Sequence, residues 1–287
     1  RHKLRPEPVI EFLVRWIKRN IPANRSRACL VCSDSGQFLF EHGAVTAVID
    51  LELATLGDPM ADLAGMLSRD LSEPMGDLAG AFRTYEKLSG EPLDHDAIDF
   101  HTVRFCTITP LAVAHLVAAP PPGLDWVQYL GWYCVWLRGP LEILAARLGV
   151  ELGPIEAPQP VPTRHTPGHE ALLAMLAPAE SDDAFAGYQR DAAARVAEYL
   201  LRADRFGAAL EQQNLDDVEA LLGTRPDSWQ AAERALEAWV ESGGEEEDAQ
   251  HEADAVRLFH RVISRQEWIL SPVMRELDGA QIQILGS

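Results

Sequence analysis

The sequence predicts a mostly α protein of the α+β class, with a small β-hairpin among helices and an all-α domain after it. Three observations carry this prediction. Residues 7–20, EPVIEFLVRWIKRN, put Ile10, Leu13, Val14 and Ile17 on one face at helical spacing. Residues 28–50 contain short β-like runs, ACLV, GQFLF and VTAVID, broken by EHGA as a turn. From Asp58 onward the pattern is helical almost throughout.

Taken in order, the first helix has Pro8 in its opening turn, where a missing N–H costs nothing, and Pro22 beyond its end. GQFLF and VTAVID read as the two arms of a hairpin around Gly43. Asp58-Pro59 then reads as a helix start, with the aspartate as N-cap and the proline at the first helical position. Helices are expected over 59–71, 74–89, 94–119 and 124–148. Residues 150–168, VELGPIEAPQPVPTRHTPG, carry five prolines and no apolar period, and read as a linker or extended strap. Residues 169–287 follow as an acidic helical domain, interrupted at 243–248 by GGEEED, read as a solvated loop. The expected domains are therefore 1–149 and 169–287, joined by the proline-rich segment.

The chain has 287 residues and a formal charge of −19. Residues 1–150 hold 14 Lys/Arg against 18 Asp/Glu, and residues 151–287 hold 11 against 26. So acidic a surface repels nucleic acid and anionic membranes, and neither is expected as a partner. The longest apolar stretch, from Ile108, contains Pro110 and His115 and ends at a proline triplet, too short and interrupted to span a bilayer. No signal or transit pattern opens the chain, and four cysteines do not make a disulfide framework, so a reducing cytoplasm is expected. Cys29-x-x-Cys32 invites a zinc or redox reading. On a strand, however, residues three apart face opposite ways, and no second pair follows, so buried free thiols are expected. The pair His165-x-x-x-His169 spans Pro167-Gly168 and reads as loop. The aromatic series Trp126, Tyr129, Trp132, Tyr133 and Trp136 sits at helical spacing, as a core face or as the wall of a pocket.

The feature with most chemistry is the ordered set Asp34, Gln37, Asp50, Asp58-Pro59 and Asp62. Phosphoryl transfer needs a carboxylate to orient or accept the attacking hydroxyl's proton, and an amide and a second carboxylate to hold magnesium on the phosphates. A hairpin with one acid before its first arm and another after its second brings such groups together. Singly, Asp34 reads as a turn residue and Asp50 as a strand-end acid.

The segment from Pro8 to about Asp70 resembles the C-lobe of the aminoglycoside phosphotransferase family, which has a protein-kinase-like fold. The resemblance rests on FLVRWIKRNIP, on the hairpin, and on VIDLELATLGDPMADLAG at 48–65. The wording of the last stretch is akin to the kinase-like domains associated with acyl-CoA dehydrogenases. The resemblance implies Asp50 as the magnesium-binding acid, with Glu52 beside it, and Asp58 and Asp62 as residues that cap and brace the loop and following helix. In one alignment Cys32 and Ser33 stand at the family's His-Gly positions, Asp34 is the catalytic acid, and Gln37 replaces the metal-binding Asn in a loop two residues shorter. In the other, ungapped from Gln37, Cys32 falls on the catalytic acid and the base is lost.

The resemblance thus implies ATP as phosphate donor, Mg2+ as cofactor and a small-molecule hydroxyl as acceptor. It also implies a β-rich N-lobe before the helix at 7–20. Only six residues precede that helix here, so an upstream segment is expected to supply the lobe. A non-catalytic interaction module, pseudokinase-like and possibly a homodimer, is the alternative.

Overall fold

A computed structural model describes residues 3–23, 25–176, 183–243 and 249–285. Among these are nine α-helices and two small antiparallel ribbons. Helix α1 spans Pro8–Arg19 and buries Val9, Ile10, Phe12, Leu13 and Trp16. Lys18 and Arg19 oppose the negative end of its dipole, and Asn20 closes it by donating from Nδ2 to the Trp16 carbonyl.

Strands β2 (Phe38–Glu41) and β3 (Ala44–Val48) form the expected hairpin, turning at His42-Gly43, both with positive φ. A register irregularity lies between Leu39 and Phe40. The ACLV run, as β1 (Cys29–Val31), pairs with β4 (Thr55–Gly57) in the register Cys29↔Gly57, Leu30↔Leu56 and Val31↔Thr55. Strand β4 lies inside LELATLGDP, whose three paired residues are too few to show a two-residue period. The two ribbons bracket the loop that holds Asp34 and the segment that holds Asp50.

Helix α2 (Met60–Arg69) begins where Asp58 accepts the Met60 amide at Oδ1 (3.1 Å) and the Ala61 amide at its carbonyl (2.9 Å). Helices α3 (Leu78–Ser89), α4 (His95–Ala118) and α5 (Trp126–Leu148) each open on an aspartate N-cap, Asp77, Asp94 and Asp125. Helices α3 and α5 end on left-handed glycines, Gly90 and Gly149. Helix α4 is long and apolar enough to cross a membrane by length and composition, and half of that apolar window lies buried inside the fold. It packs against α1, α2 and α5.

Residues 151–163 run without regular structure, with Val161 donating its amide to the Arg205 carbonyl. Helix α6 (Thr166–Met175) starts earlier than the sequence reading allowed. Pro167 occupies its first turn, so His165 is the N-cap residue and His169 is helical rather than in a loop. Helices α7 (Ala184–Leu222), α8 (Trp229–Ser242) and α9 (Ala249–Leu270) complete the chain, and the GGEEED segment falls outside the described residues beyond Gly243. Helix α9 packs on α5 and α7, and α8 on α1. One continuous apolar core therefore runs from Phe12 and Leu13 through Leu67, Ile98, Leu137 and Leu141 to Phe259 and Leu277. Polar ties reinforce it. Buried Arg195 of α7 bonds the buried N-cap Asp125, which also accepts from Tyr188 (2.9 Å), and Arg138 of α5 pairs with Glu267 of α9 (2.7 Å).

The thiols expected to be buried are those of Cys29 and Cys32, but the buried ones are Cys106 and Cys134. Cys29 and Cys32, also free, are only half-buried, because the two-stranded ribbon has no layer above it.

Candidate active site

The loop carrying Asp34 is held from below by α2. Asp62, in the first turn of that helix, accepts the Ser33 amide at Oδ1 (2.9 Å) and also bonds the Cys32 amide. Burial pushes the Asp62 carboxyl up, against the opposing pull of these two donors. Ser35 adds a bond from Oγ to the Asp62 carbonyl. Ser33 takes a left-handed backbone (φ 63°), which turns the chain so that Asp34 points away from the strand. Gly36 lies under Arg69 of α2. A Cβ there would meet the Arg69 Cγ at 3.0 Å.

Asp34 faces Arg69, with Oδ1 3.5 Å from Nε. Neither atom is in hydrogen-bond geometry, and both are buried without a hydrogen-bond partner. The Arg69 Nη2 instead donates to Glu73 (3.0 Å). Asp34 and Arg69 open into a cavity of about 460 Å³, within the roughly 300–1,000 Å³ usual for small-molecule sites. Phe105, Ile108 and Val113 of α4 form one wall, Trp132 and Trp136 of α5 another, and Leu277 lines it as well. The aromatic series therefore divides. Trp132 and Trp136 line the cavity, whereas Trp126 stacks edgewise on Tyr199 and Tyr133 is buried against Glu7. Cys32 is not among the lining residues.

On the other side of the loop, the Gln37 backbone N–H donates to the Asp34 carbonyl (3.3 Å) and the Gln37 carbonyl accepts the Ile49 N–H (3.0 Å), which ties the Asp34 loop to the residue before Asp50. Asp50 is exposed and left-handed (φ 61°), at the head of a one-turn 3-10 helix, Leu51–Leu53. Its side chain is hydrogen-bonded to Glu52. That bond, with the charges of Asp50 and Asp34, raises the Glu52 carboxyl above its ordinary range. Three carboxyl groups, Asp34, Asp50 and Glu52, thus act on one another here. Oxygen-rich and partly solvated, this donor set fits magnesium, which commonly takes one or two carboxylates and completes its shell with water and phosphate oxygens. Among the described residues, no group of three His, Cys, Asp or Glu side chains converges on one point to cage a metal alone.

Asp58 sits apart as a brace. Arg25 grips it through Nε and Nη2, both at 2.7 Å, and reaches Asp94 through Nη1 (3.1 Å). Burial opposes ionisation of Asp58, but Arg25 and the Met60 amide prevail and hold its carboxyl below the usual range. The start of β1, the head of α2 and the N-cap of α4 are thereby tied together. Sequence reasoning did not single out Arg69, which follows the motif by four residues on the same helix as Asp62 and belongs to no recognised pattern. It also did not connect Leu277 with this site.

Residues 2–101 match the model of the phosphotransferase enzyme family. The match covers the first third of the chain and supports a phosphotransferase-like kinase fold there. No curated protein and no solved structure is detectably similar to the chain.

Proposed function

We propose that the chain provides the C-lobe of an ATP-dependent small-molecule phosphotransferase, with Asp34 as its catalytic acid–base group. The observation that carries this reading is the position of Asp34. Its carboxylate stands between a largely apolar cavity and the acidic pair Asp50 and Glu52, with one oxygen buried and free of hydrogen bonds. A hydroxyl held in the cavity donates to the Asp34 carboxylate. Asp34 takes the proton as the new oxygen–phosphorus bond forms and ADP departs. Arg69 faces Asp34, Asp62 fixes the loop beneath it, and Asp50 with Glu52 and Gln37 are the groups that would hold magnesium. When bound, ATP supplies the phosphoryl group and magnesium offsets the charge on its oxygens.

The upper face of the ribbons fits the same reading. Leu56, Phe40 and Leu30 are 80%, 72% and 68% exposed, beside exposed Val45, Val48 and Leu51. An apolar surface of this kind ordinarily has a cover. An N-lobe from an upstream segment and the purine between the lobes are the proposed cover. The same surface, with Cys32-Ser33 in place of His-Gly, favours the second reading, a non-catalytic module that binds a partner or a second copy.

A magnesium–ATP titration of the full-length protein, followed by thermal melting, separates the two. The enzyme reading expects a rise in Tm that requires magnesium and disappears in Asp50→Ala, together with phosphoryl transfer lost in Asp34→Asn. No shift and no turnover with Asp34 intact would overturn it.

A further inference from the structure

Part of the cavity wall, Glu276 and Leu277, comes from the far end of the chain. After α9 the backbone makes two 3-10 turns, Ser271–Val273 and Arg275–Leu277, and returns across the N-terminal half as a strap. Three contacts seat it. Arg138 of α5 bonds the Ala280 carbonyl, and Gln283 donates Nε2 to Asp70 Oδ2 (2.9 Å) and to the Gly76 carbonyl (2.8 Å). Leu277, 1% exposed, packs where α5 has Gly131, whose added Cβ would lie 3.1 Å from the Leu277 Cδ1. A glycine inside a helix costs roughly 1 kcal/mol relative to alanine. Here its bare face is what lets the strap sit against α5 and present Leu277 to the cavity.

The chemistry of the lining is uneven. Polar and ionic groups come from Asp34, Arg69, Ser72, Glu73, Thr109 and Glu276. The rest is aromatic and aliphatic, from Phe105, Ile108, Val113, Trp132, Trp136 and Leu277. A polyol seated against that apolar part would give up water from several hydroxyls that find no partner there, at a cost of about 1–3 kcal/mol for each unpaired group. An alcohol with one hydroxyl on an apolar body keeps that hydroxyl at Asp34 and buries the rest.

Resting on the phosphotransferase reading of Asp34, we propose that the cavity takes an alcohol carried on a predominantly apolar body, and that Leu277 of the C-terminal strap is a specificity-determining wall. The acceptor site is then complete only when the C-terminal strap is docked on the phosphotransferase-family segment.

Calorimetric titration of the full chain without nucleotide tests this, using 2-cyclohexylethanol as probe and sorbitol as its polar counterpart. Saturable binding of 2-cyclohexylethanol, at least tenfold tighter than sorbitol, is expected. Ala112→Trp fills the cavity from an exposed position on α4 and should weaken that binding at least tenfold without unfolding the protein. Leu277→Ala should move the preference toward the longer 4-cyclohexylbutanol. Sorbitol binding as tightly, or binding of the apolar alcohol undiminished by Ala112→Trp, would overturn the proposal. Tight alcohol binding with no phosphoryl transfer from ATP supports the cavity assignment and counts against the phosphotransferase reading alone. Phosphorylation of sorbitol without binding of 2-cyclohexylethanol overturns the cavity assignment alone.

Discussion

Gly65 of α2 and Ser33 of the Asp34 loop approach so closely that a Cβ on Gly65 would stand 2.0 Å from the Ser33 carbonyl oxygen and 2.8 Å from the Ser35 Oγ. The obstacle is backbone, so no rotamer change relieves it. Gly65→Ala must lift the loop from the helix, at a cost typical of overpacking, about 1–3 kcal/mol. Chemical denaturation should show that loss. Because the lift carries Asp34 with it, phosphoryl transfer should fall further than the loss of stability alone explains. An unchanged midpoint would mean that the loop is not seated on Gly65.

Asp62 should matter through its acceptor oxygens. Asp62→Ala leaves the Ser33 and Cys32 amides without their partner, a penalty of about 1–3 kcal/mol, whereas Asp62→Asn keeps an acceptor and should cost less. Amide hydrogen exchange read at residues 32–35 checks this. Faster exchange in the alanine variant than in the asparagine variant is the expected order.

Asp125 joins the two halves of the chain. It caps α5 through the Gln128 amide and receives Arg195 and Tyr188 from α7. Its removal leaves the buried Arg195 guanidinium with only Asp191, at the edge of the fold (3.2 Å). Asp125→Ala should therefore destabilise by about 3–5 kcal/mol, as for other broken buried pairs. A single denaturation transition displaced as a whole would show that α7 unfolds together with α5. Two separate transitions would show that the halves melt independently.

Glu233 of α8 gives a pH dependence. Burial pushes its carboxyl up to about 7, with Glu7 and Glu237 reinforcing and Arg5 opposing. The sign follows from linkage. The folded state holds the proton more tightly than the unfolded state, so stability falls as pH rises from the ordinary carboxylate range through about 7. Glu233→Gln, which cannot ionise, should be more stable than the parent at pH 8 and nearly equal at pH 4.5. Thermal melts of both proteins at the two pH values measure the difference, and an equal gap at both would rule out Glu233 as the titrating group.

The helices were legible because their ends are written locally. Asp77, Asp94, Asp125 and Ser228 accept the amides that open α3, α4, α5 and α8, and Gly90, Gly149 and Gly223 supply left-handed stops. The hairpin at Gly43 was legible for the same reason. Strand β4 was not, because three residues in LELATLGDP pair with a partner some two dozen positions away and carry no pattern of their own. The candidate site shows the same division. Asp34, Asp50 and Asp62 announce themselves by motif and order. Arg69 acquires meaning only from the geometry that brings it to Asp34, and Leu277 only from its fit against Gly131. The half-buried state of Cys29 and Cys32 depends on what covers the ribbons, which the periodicity of ACLV does not encode.

The uncovered ribbons also bear on how the protein behaves at concentration. Leu30, Phe40 and Leu56 lie on short two-stranded ribbons, and such strands offer open hydrogen-bonding edges to any neighbour that approaches. What holds neighbours off is the charge of −19, and that repulsion reaches only about 10 Å at 0.1 M salt and about 3 Å at 1 M. Raising the ionic strength should therefore favour self-association, which light scattering across a salt series would measure. In dilute buffer like charges keep the sticky faces out of range, and in concentrated salt they meet.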